Sequence, residues 1–450
     1  MTHPRHIARD RVAMKRRFFS WSRLLLWSHA AGVILFYLIL WFRSNPRERH
    51  RQRQAEPSAG DDKQKAAPLV SIIMPARDEE RNIRRSVTSL LEQDYDNLEV
   101  IVVDDASTDG TAGILADIAQ KHPRAERLRV ARVDELPAGW AGKPHALHMG
   151  TQSARGDWLL FTDADTWHAP GTLRFAVPQA NNEGADLLSL GSTQELPGFW
   201  NKVMMPIAYL GISMLYPLKA VNNPDSPIAL ANGQFILIRR AVYDIVGGYA
   251  RPDLRATLLD DRDLARVVKD NGFHLRLDDG RGMVHVRMYQ NLRETWRGWR
   301  KNVYLGNRGG TAFFLLQLIG LPLVAIAPFA LPLLARFMPA RRWRREINLA
   351  ASAELAPLLA YRGWLDRMLG VPWYYALTHP LAGILFEGIL AQSAWRVIAR
   401  KGVDWRGRQY YAKNLAPEPR RVYTKRRYYI LPRGMGSSHY QSSFVPKRSF

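Results

Sequence analysis

The chain reads as an α/β protein on a mixed, mostly parallel, Rossmann-like sheet flanked by helices, with N-terminal and C-terminal transmembrane helices. Short continuous apolar runs alternate with amphipathic helical stretches between residues 68 and 306, the pattern of strands buried on both faces. Long uncharged segments lie outside that block. Carboxylates cluster just past the apolar runs, where open sheets of this kind place their ligands.

The elements follow in order. Leu69 to Met74 is a compact strand ended by Pro75, and Glu80 to Leu91 carries Ile83, Val87, Leu90 and Leu91 at helical spacing. Val100 to Val103 is a second buried strand running into Asp104-Asp105. Thr111 to Ala119 reads as a helix, Leu128 to Val133 as a third strand, His145 to Ser153 as a helix and Trp158 to Phe161 as a fourth strand.

Charge separates this block from its flanks. The 450 residues carry 64 Lys+Arg against 41 Asp+Glu and no cysteine. Zero cysteine excludes disulfide scaffolds, thiolate metal sites and cysteine nucleophiles. Pro68 to Arg300 holds 27 basic and 30 acidic residues, so the excess positive charge lies beside the apolar segments. Basic clusters there face anionic lipid headgroups rather than nucleic acid.

Residues 1–17 form a basic N-terminal segment and 18–43 a transmembrane anchor, whose uncharged run Leu24–Phe42 nearly covers a hydrocarbon core of about 30 Å. That run is too long for a signal h-region, and Trp41-Phe42-Arg43 is not a small-residue cleavage site. Residues 44–67 have linker composition, 68–306 form the soluble domain, 307–400 a membrane-associated region and 401–450 a basic tail, disordered from Glu418. Thr311–Ala335 is uncharged but interrupted by Pro322, Pro328 and Pro332, which predicts a kinked span or a re-entrant hairpin. Ile347–Tyr361 carries Glu354 and is a weak span; Val371–Trp395 is long enough but holds His379 and Glu387.

The acidic clusters are Asp78-Glu79 after the first strand, Asp104-Asp105 and Asp109 after the second, Asp163-Ala164-Asp165 after the fourth, and Asp260-Asp261. Crowded carboxylates repel, so a hard divalent cation or ligand donors would be needed to hold them together. The plain alternatives are a helix cap for Asp109, a polar turn for Asp163 and Asp165, and helix N-terminal acids for Asp260 and Asp261. Gly139-Trp140-Ala141-Gly142-Lys143-Pro144-His145 lacks full Walker spacing, so an NTPase is disfavoured, and His145 reads as structural.

Taken together, Pro75 to Glu79, Val103 to Asp109, Asp163-Ala164-Asp165 and Asp260-Asp261 resemble, in order, the motifs of the family 2 glycosyltransferases, which have the GT-A fold. The segment Trp140–Leu147 and the apolar C-terminal third resemble the membrane branch associated with hopanoid and carotenoid glycosylation. The resemblance implies a nucleotide pocket of Pro75, Ala76, Glu79, Asp105 and Lys143, with Asp163 near the ribose or sugar and Asp165 holding Mg²⁺ or Mn²⁺ on the diphosphate. It makes Asp261 the base of an inverting displacement and Asn232-Gly233-Gln234 the loop bordering sugar and acceptor.

Processive relatives carry Gln-x-x-Arg-Trp after the base; here Trp296-Arg297-Gly298-Trp299-Arg300-Lys301 lacks it, so single-sugar transfer is favoured over polymer synthesis. Arg297 and Arg300 are candidates for pyrophosphate contact or for membrane flanking. The expected partners are a UDP- or GDP-linked sugar, a polyprenoid-type lipid acceptor and a membrane, but no nucleic acid. The expected location is a bacterial-type cytoplasmic membrane, multi-pass, with the catalytic domain in the cytoplasm. The rivals are a catalytically silent nucleotide-sugar-binding scaffold, a processive polysaccharide synthase and a nucleotidyltransferase.

Overall fold

The computed structural model describes residues 4–43, 67–306, 310–399, 403–405 and 408–410. Residues 44–66 of the expected linker and the tail from Glu418 lie outside these. The chain divides into two units, Pro46–Glu195 with Tyr216–Met288 and Arg400–Phe450, and Met1–Asn45 with Leu196–Leu215 and Tyr289–Ala399.

The first unit is built on a seven-stranded sheet in the order β3-β2-β1-β4-β8-β6-β9. Its strands are β1 (Val70–Ala76), β2 (Leu98–Asp105), β3 (Leu128–Val133), β4 (Trp158–Phe161), β6 (Leu187–Gly191), β8 (Ile236–Arg239) and β9 (Leu275–Asp279). β1 pairs in parallel with β2 and β4, β2 with β3, and β6 with β9, while β8 runs antiparallel to both β4 and β6. The sheet is thus mixed and mostly parallel. Valine and isoleucine dominate β1 and β2, and every residue of β2 is buried, as expected of strands covered on both faces. Helices Ile83–Leu91, Thr111–Lys121, Gly142–Ser153 and Thr172–Asn182 connect the strands.

Pro75 does not end the first strand; β1 continues through it to Ala76, with Pro75 beside Val103 of β2. Thr162 N donates to Ile73 O at 3.2 Å, so Ile73 faces β4, and so does position 75 two residues on. β4 has already ended there, and the proline's missing N–H costs no ladder bond. A small second sheet sets β10 (Val284–Val286) between β5 (Thr166–His168) and β7 (Thr193–Gln194).

The second unit is helical. Two of its helical segments, Ser20–Arg43 and Phe314–Ala335, are long and apolar enough to cross a membrane by length and composition. The prolines of the second resolve as a π-helical stretch, Pro322–Ile326, between helices Gly310–Leu321 and Ala327–Ala335, rather than as a hairpin. The expected spans at Ile347–Tyr361 and Val371–Trp395 fall in helix Arg341–Met368, and in the short turn Trp373–Thr378 followed by helix His379–Ile398. Neither is among the segments that pass that measure.

Inside this unit, Arg362 and Asp366 are fully buried and paired at 2.8 Å. Arg362 Nη1 reaches His379 Nδ1 at 3.3 Å, His379 Nε2 reaches the Tyr37 hydroxyl at 3.3 Å, and that hydroxyl donates to Val324 O at 3.2 Å. The order of donors fixes the neutral imidazole with its proton on Nε2. Three segments far apart in sequence are joined by this one buried chain.

Candidate active site

The parallel register brings the C-terminal ends of β1, β2 and β4 to one edge, with Ala76 beside Asp104 and Ile73 beside Phe161. Two tight loops leave that edge. Asp78 and Ala106, near the start of each, both have φ of 52°, a conformation non-glycine residues hold only when their surroundings impose it. The loops are stitched together: Asp78 N donates to Ser107 Oγ (3.0 Å), Thr108 N to Asp78 Oδ1 (2.8 Å) and Ser107 N to Asp104 Oδ1 (3.0 Å).

This sorts the acids of the first two clusters. Asp104 serves the scaffold, because its second oxygen accepts from Arg132 at 2.9 Å. Asp109 likewise accepts from Thr111 N and Glu80 N, both at 3.0 Å, but it stands one residue before the helix cap, which is Gly110 rather than Asp109 as expected. Asp105 is buried beside Arg77, whose Nη1 donates to Asp105 O at 2.6 Å and lies 3.9 Å from its carboxylate. Glu79 is held by Asn82 Nδ2 at 3.1 Å, while Glu79 N donates to Thr111 Oγ1 at 2.8 Å. Ala76 and Glu79 are buried and Pro75 is partly so.

Around Gly233 four charged side chains converge. Lys143 Nζ lies 2.8 Å from Asp163 Oδ1 and 2.9 Å from Asp260 Oδ2. Gly233 N donates to Asp261 Oδ2 at 3.3 Å. A methyl group built on Gly233 would lie 3.1 Å from Asp163 Oδ2, 3.3 Å from Asp261 Oδ2 and 3.3 Å from Lys143 Nζ. The glycine loop is the floor against which these groups gather.

Each member is placed by a local device. Lys143 opens helix Gly142–Ser153, and Ala141 N just before it donates to Arg255 O at 2.7 Å. Trp140 stacks on His148 at 5.1 Å and meets His145 edge-on at 5.2 Å, so buried His145 packs against the loop that presents Lys143. Thr162 Oγ1 donates to Gln234 O at 2.9 Å, tying the end of β4 to the glycine loop. Ser192 Oγ donates to Gln234 Oε1 at 3.1 Å, and Asn232 Nδ2 donates to Leu190 O at 2.8 Å. Asp260 and Asp261 start helix Asp260–Asp270; neighbours there point about 100° apart, which sends one to Lys143 and the other to Gly233. Asp263 has a scaffold role, accepting from Thr257 Oγ1 and from Arg262 Nε at 2.9 Å.

The electrostatics follow from one ammonium facing three carboxylates. Burial alone would lower the Lys143 pKa, but Asp163, Asp260 and Asp261 outweigh it and raise it, so the lysine stays charged. Burial pushes Asp260 up to about 6, helped by Asp261 and Asp163 and opposed by Lys143. The cluster carries surplus negative charge and favours a proton or a further cation.

Asp165 lies two residues beyond Asp163, partly exposed, with Thr166 Oγ1 at 3.4 Å from its carboxylate and Arg287 N donating to its carbonyl at 3.3 Å. Among the described residues no group of three or more His, Cys, Asp or Glu side chains gathers to hold a metal by itself. A carboxylate oxygen donor suits a hard cation that completes its shell from substrate phosphates and water, as Mg²⁺ and Mn²⁺ do. Arg297 and Arg300 belong to the helical unit, where Arg300 Nη1 donates to Gln392 Oε1 at 3.4 Å.

The sequence singled out Asp261 of its pair, and the structure adds Asp260 as the partner of Lys143. The signal was the adjacent acids at a helix start; what concealed it was that the lysine lies more than a hundred residues earlier.

The family described as Glycosyl transferase family 2 matches residues 71–246. Beta-monoglucosyldiacylglycerol synthase of Nostoc sp. is 30% identical over 254 residues, which is 56% of this chain and 46% of that protein. The chain thus spans about half the length of that relative. The 4,4'-diaponeurosporenoate glycosyltransferase of Staphylococcus aureus is 26% identical over 358 residues, 76% of this chain and 88% of that protein. Among solved structures, a mannosyltransferase from Pyrobaculum calidifontis in complex with GDP-Man and Mn2+ is similar with a TM-score of 0.50 and 21% identity, over 80% of this chain and 97% of its own. Likeness at that identity speaks to the fold.

Proposed function

The chain belongs to the family 2 glycosyltransferases through residues 71–246, and from that premise we propose that it is a membrane-bound inverting enzyme moving one sugar from a nucleotide-sugar to a lipid acceptor. The observation that carries the reading is the convergence of Lys143, Asp163, Asp260 and Asp261 on Gly233.

In this reading Asp105 and Glu79, with Pro75 and Ala76, border the nucleotide, and Asp163 and Lys143 border the sugar and phosphate side. Asp261 accepts the proton of the acceptor hydroxyl as its oxygen bonds to the sugar carbon and the bond to the diphosphate breaks. Its carboxylate is oriented by Gly233 N and by Arg262 N, which donates to Asp261 Oδ1 at 2.7 Å. Asp165 would hold Mg²⁺ or Mn²⁺, which when bound neutralises charge on the departing diphosphate. Gly233 and Gln234 border the acceptor, and Arg297 and Arg300 are candidates for a pyrophosphate contact. Membrane attachment through Ser20–Arg43 and Phe314–Ala335 raises the effective concentration of a lipid acceptor. A lipid acceptor is supported by two relatives named for a diacylglycerol product and for diaponeurosporenoate. The catalytic domain then faces the cytoplasm, where nucleotide-sugars are made.

The test is donor turnover by the full chain in lipid nanodiscs supplemented with extracted lipids. UDP- and GDP-sugars are screened with Mn²⁺ and with EDTA, for wild type beside Asp261→Asn and Asp165→Ala. Release of nucleoside diphosphate that needs metal and disappears in both variants is the expected result. Absence of both turnover and donor binding would overturn the assignment and leave a silent scaffold.

A further inference from the structure

One surface of the helical unit is unlike the rest. The exposed faces of the candidate spans are mainly aliphatic, as at Leu24, Leu25, Leu35, Leu316 and Ile319. The turn Trp373–Thr378 instead exposes more than half of Trp373, Tyr374 and Leu377. Beside it, Phe199 and Trp200 open helix Gly198–Leu215 and are also exposed. Phe199 and Tyr375 rings lie 5.8 Å apart, and Lys202 Nζ lies 5.8 Å from the Tyr375 ring.

The turn is pinned at one end of the anchor helix. Val371 N donates to Asp366 O at 2.7 Å, folding the segment back on the end of helix Arg341–Met368. His379, immediately after the turn, reaches the Tyr37 hydroxyl, and one turn further along the anchor Trp41 lies 5.9 Å from Trp364. Trp21, also exposed, marks the other end of the anchor's apolar run. Trp21 and Trp41 are twenty residues apart on one helix, about 30 Å at 1.5 Å per residue, which matches a hydrocarbon core. Tryptophan and tyrosine prefer the layer where acyl chains meet headgroups, and a neighbouring lysine suits anionic headgroups.

We propose that the Trp373–Thr378 turn, with Phe199 and Trp200, is a non-spanning wedge lying in the headgroup–acyl boundary of the lipid bilayer at the Trp41 end of the anchor. Its occupant is phospholipid, because the turn follows the helix whose Trp364 packs on Trp41 and so lies at the end of a lipid-length helix. The inference rests on the membrane reading above and adds a third, shallow contact to it.

The chain has no cysteine, so a single introduced thiol is the only one to carry a nitroxide label. Trp373→Cys and Leu377→Cys are compared with Leu35→Cys on the anchor and with Glu126→Cys on the soluble domain, all exposed side chains. The full chain is placed in phosphatidylcholine/phosphatidylglycerol nanodiscs, and collision rates with oxygen and with a water-soluble nickel chelate give label depth. The expected result puts positions 373 and 377 about 5–10 Å into the boundary layer, with position 35 deeper and position 126 in water. Labels at 373 and 377 as chelate-accessible as that at 126, with 35 deep, would overturn the wedge and leave the membrane reading intact. A water-exposed label at 35 would sink both. Spin–spin broadening at 373 that disappears on dilution with unlabelled chain would mean that a second copy, not lipid, covers the patch.

Discussion

Gly233→Ala probes the site with the smallest possible change. The added methyl would meet Asp163 Oδ2 at 3.1 Å, and Asp261 Oδ2 and Lys143 Nζ at 3.3 Å each. Unstrained contacts begin near 3.5 Å, so all three charged groups must retreat by about 0.2–0.4 Å. All are side-chain ends rather than backbone, which keeps the folding cost near the lower end of overpacking, about 1 kcal/mol. The chemistry is less tolerant: reacting groups need placement within about 0.5 Å, and an error of about 1 Å costs about 100-fold. On that scale a retreat of about 0.2–0.4 Å costs about 3- to 6-fold in kcat, with a melting temperature within a few degrees of wild type. Gly171→Ala is the control, since a methyl there meets nothing within 4 Å. Nucleoside diphosphate release in nanodiscs, beside thermal unfolding of both variants, makes the comparison. A folded Gly233→Ala enzyme with wild-type kcat would refute the placement of the reaction at this loop.

Other expectations follow from the same contacts. Lys143→Met leaves Asp163 and Asp260 facing each other without a cation; because the lysine is one-third exposed, the cost is about 1–2 kcal/mol rather than the 3–5 of a fully buried pair, and donor binding weakens in calorimetry. Asp260 has a folded pKa above its unfolded one, so its contribution to stability is fully present below about pH 4 and is lost as pH rises through about 6. Asp260→Asn removes that loss, so its gain over wild type grows from near zero at pH 4 to about 1–3 kcal/mol at pH 7, read from unfolding midpoints across the range. Arg362→Leu strands Asp366 as a buried lone charge and costs about 3–5 kcal/mol in detergent unfolding, while the double variant Arg362→Leu/Asp366→Leu recovers most of it.

Local information carried the sequence reading where the local signal was strong. β3 and β4 begin and end at the residues expected: β4 is a short buried apolar run, and β3, an edge strand, sets Leu128, Val130 and Val133 among exposed arginines. Helix Ile83–Leu91 starts three residues later than expected, since the acidic stretch before it is held in the stitched loops instead. The antiparallel β8 and the sheet of β5, β10 and β7 were not legible: their strands have two to four residues, and β10 meets partners roughly 90 to 120 residues earlier in the chain. Asp163, Asp165 and Asp261 could be singled out from their places after strands and at a helix start. Which acids serve the scaffold could not, because Asp104 and Asp263 declare themselves only through Arg132, Ser107, Thr257 and Arg262.

The excursion of Leu196–Leu215 out of the sheet-bearing unit has a consequence for anyone wishing to crystallise the soluble half. Deleting the N-terminal anchor and everything after Met288 removes the partners of this helix but not the helix, since the chain on both sides of it, Glu195 and Tyr216, belongs to the sheet-bearing unit. Met204, Ile207 and Leu210, now buried, would then face solvent in the middle of the shortened chain, and precipitation during expression is the outcome to anticipate. A soluble version calls for a short polar bridge from Glu195 to Tyr216 as well as trimming at the termini.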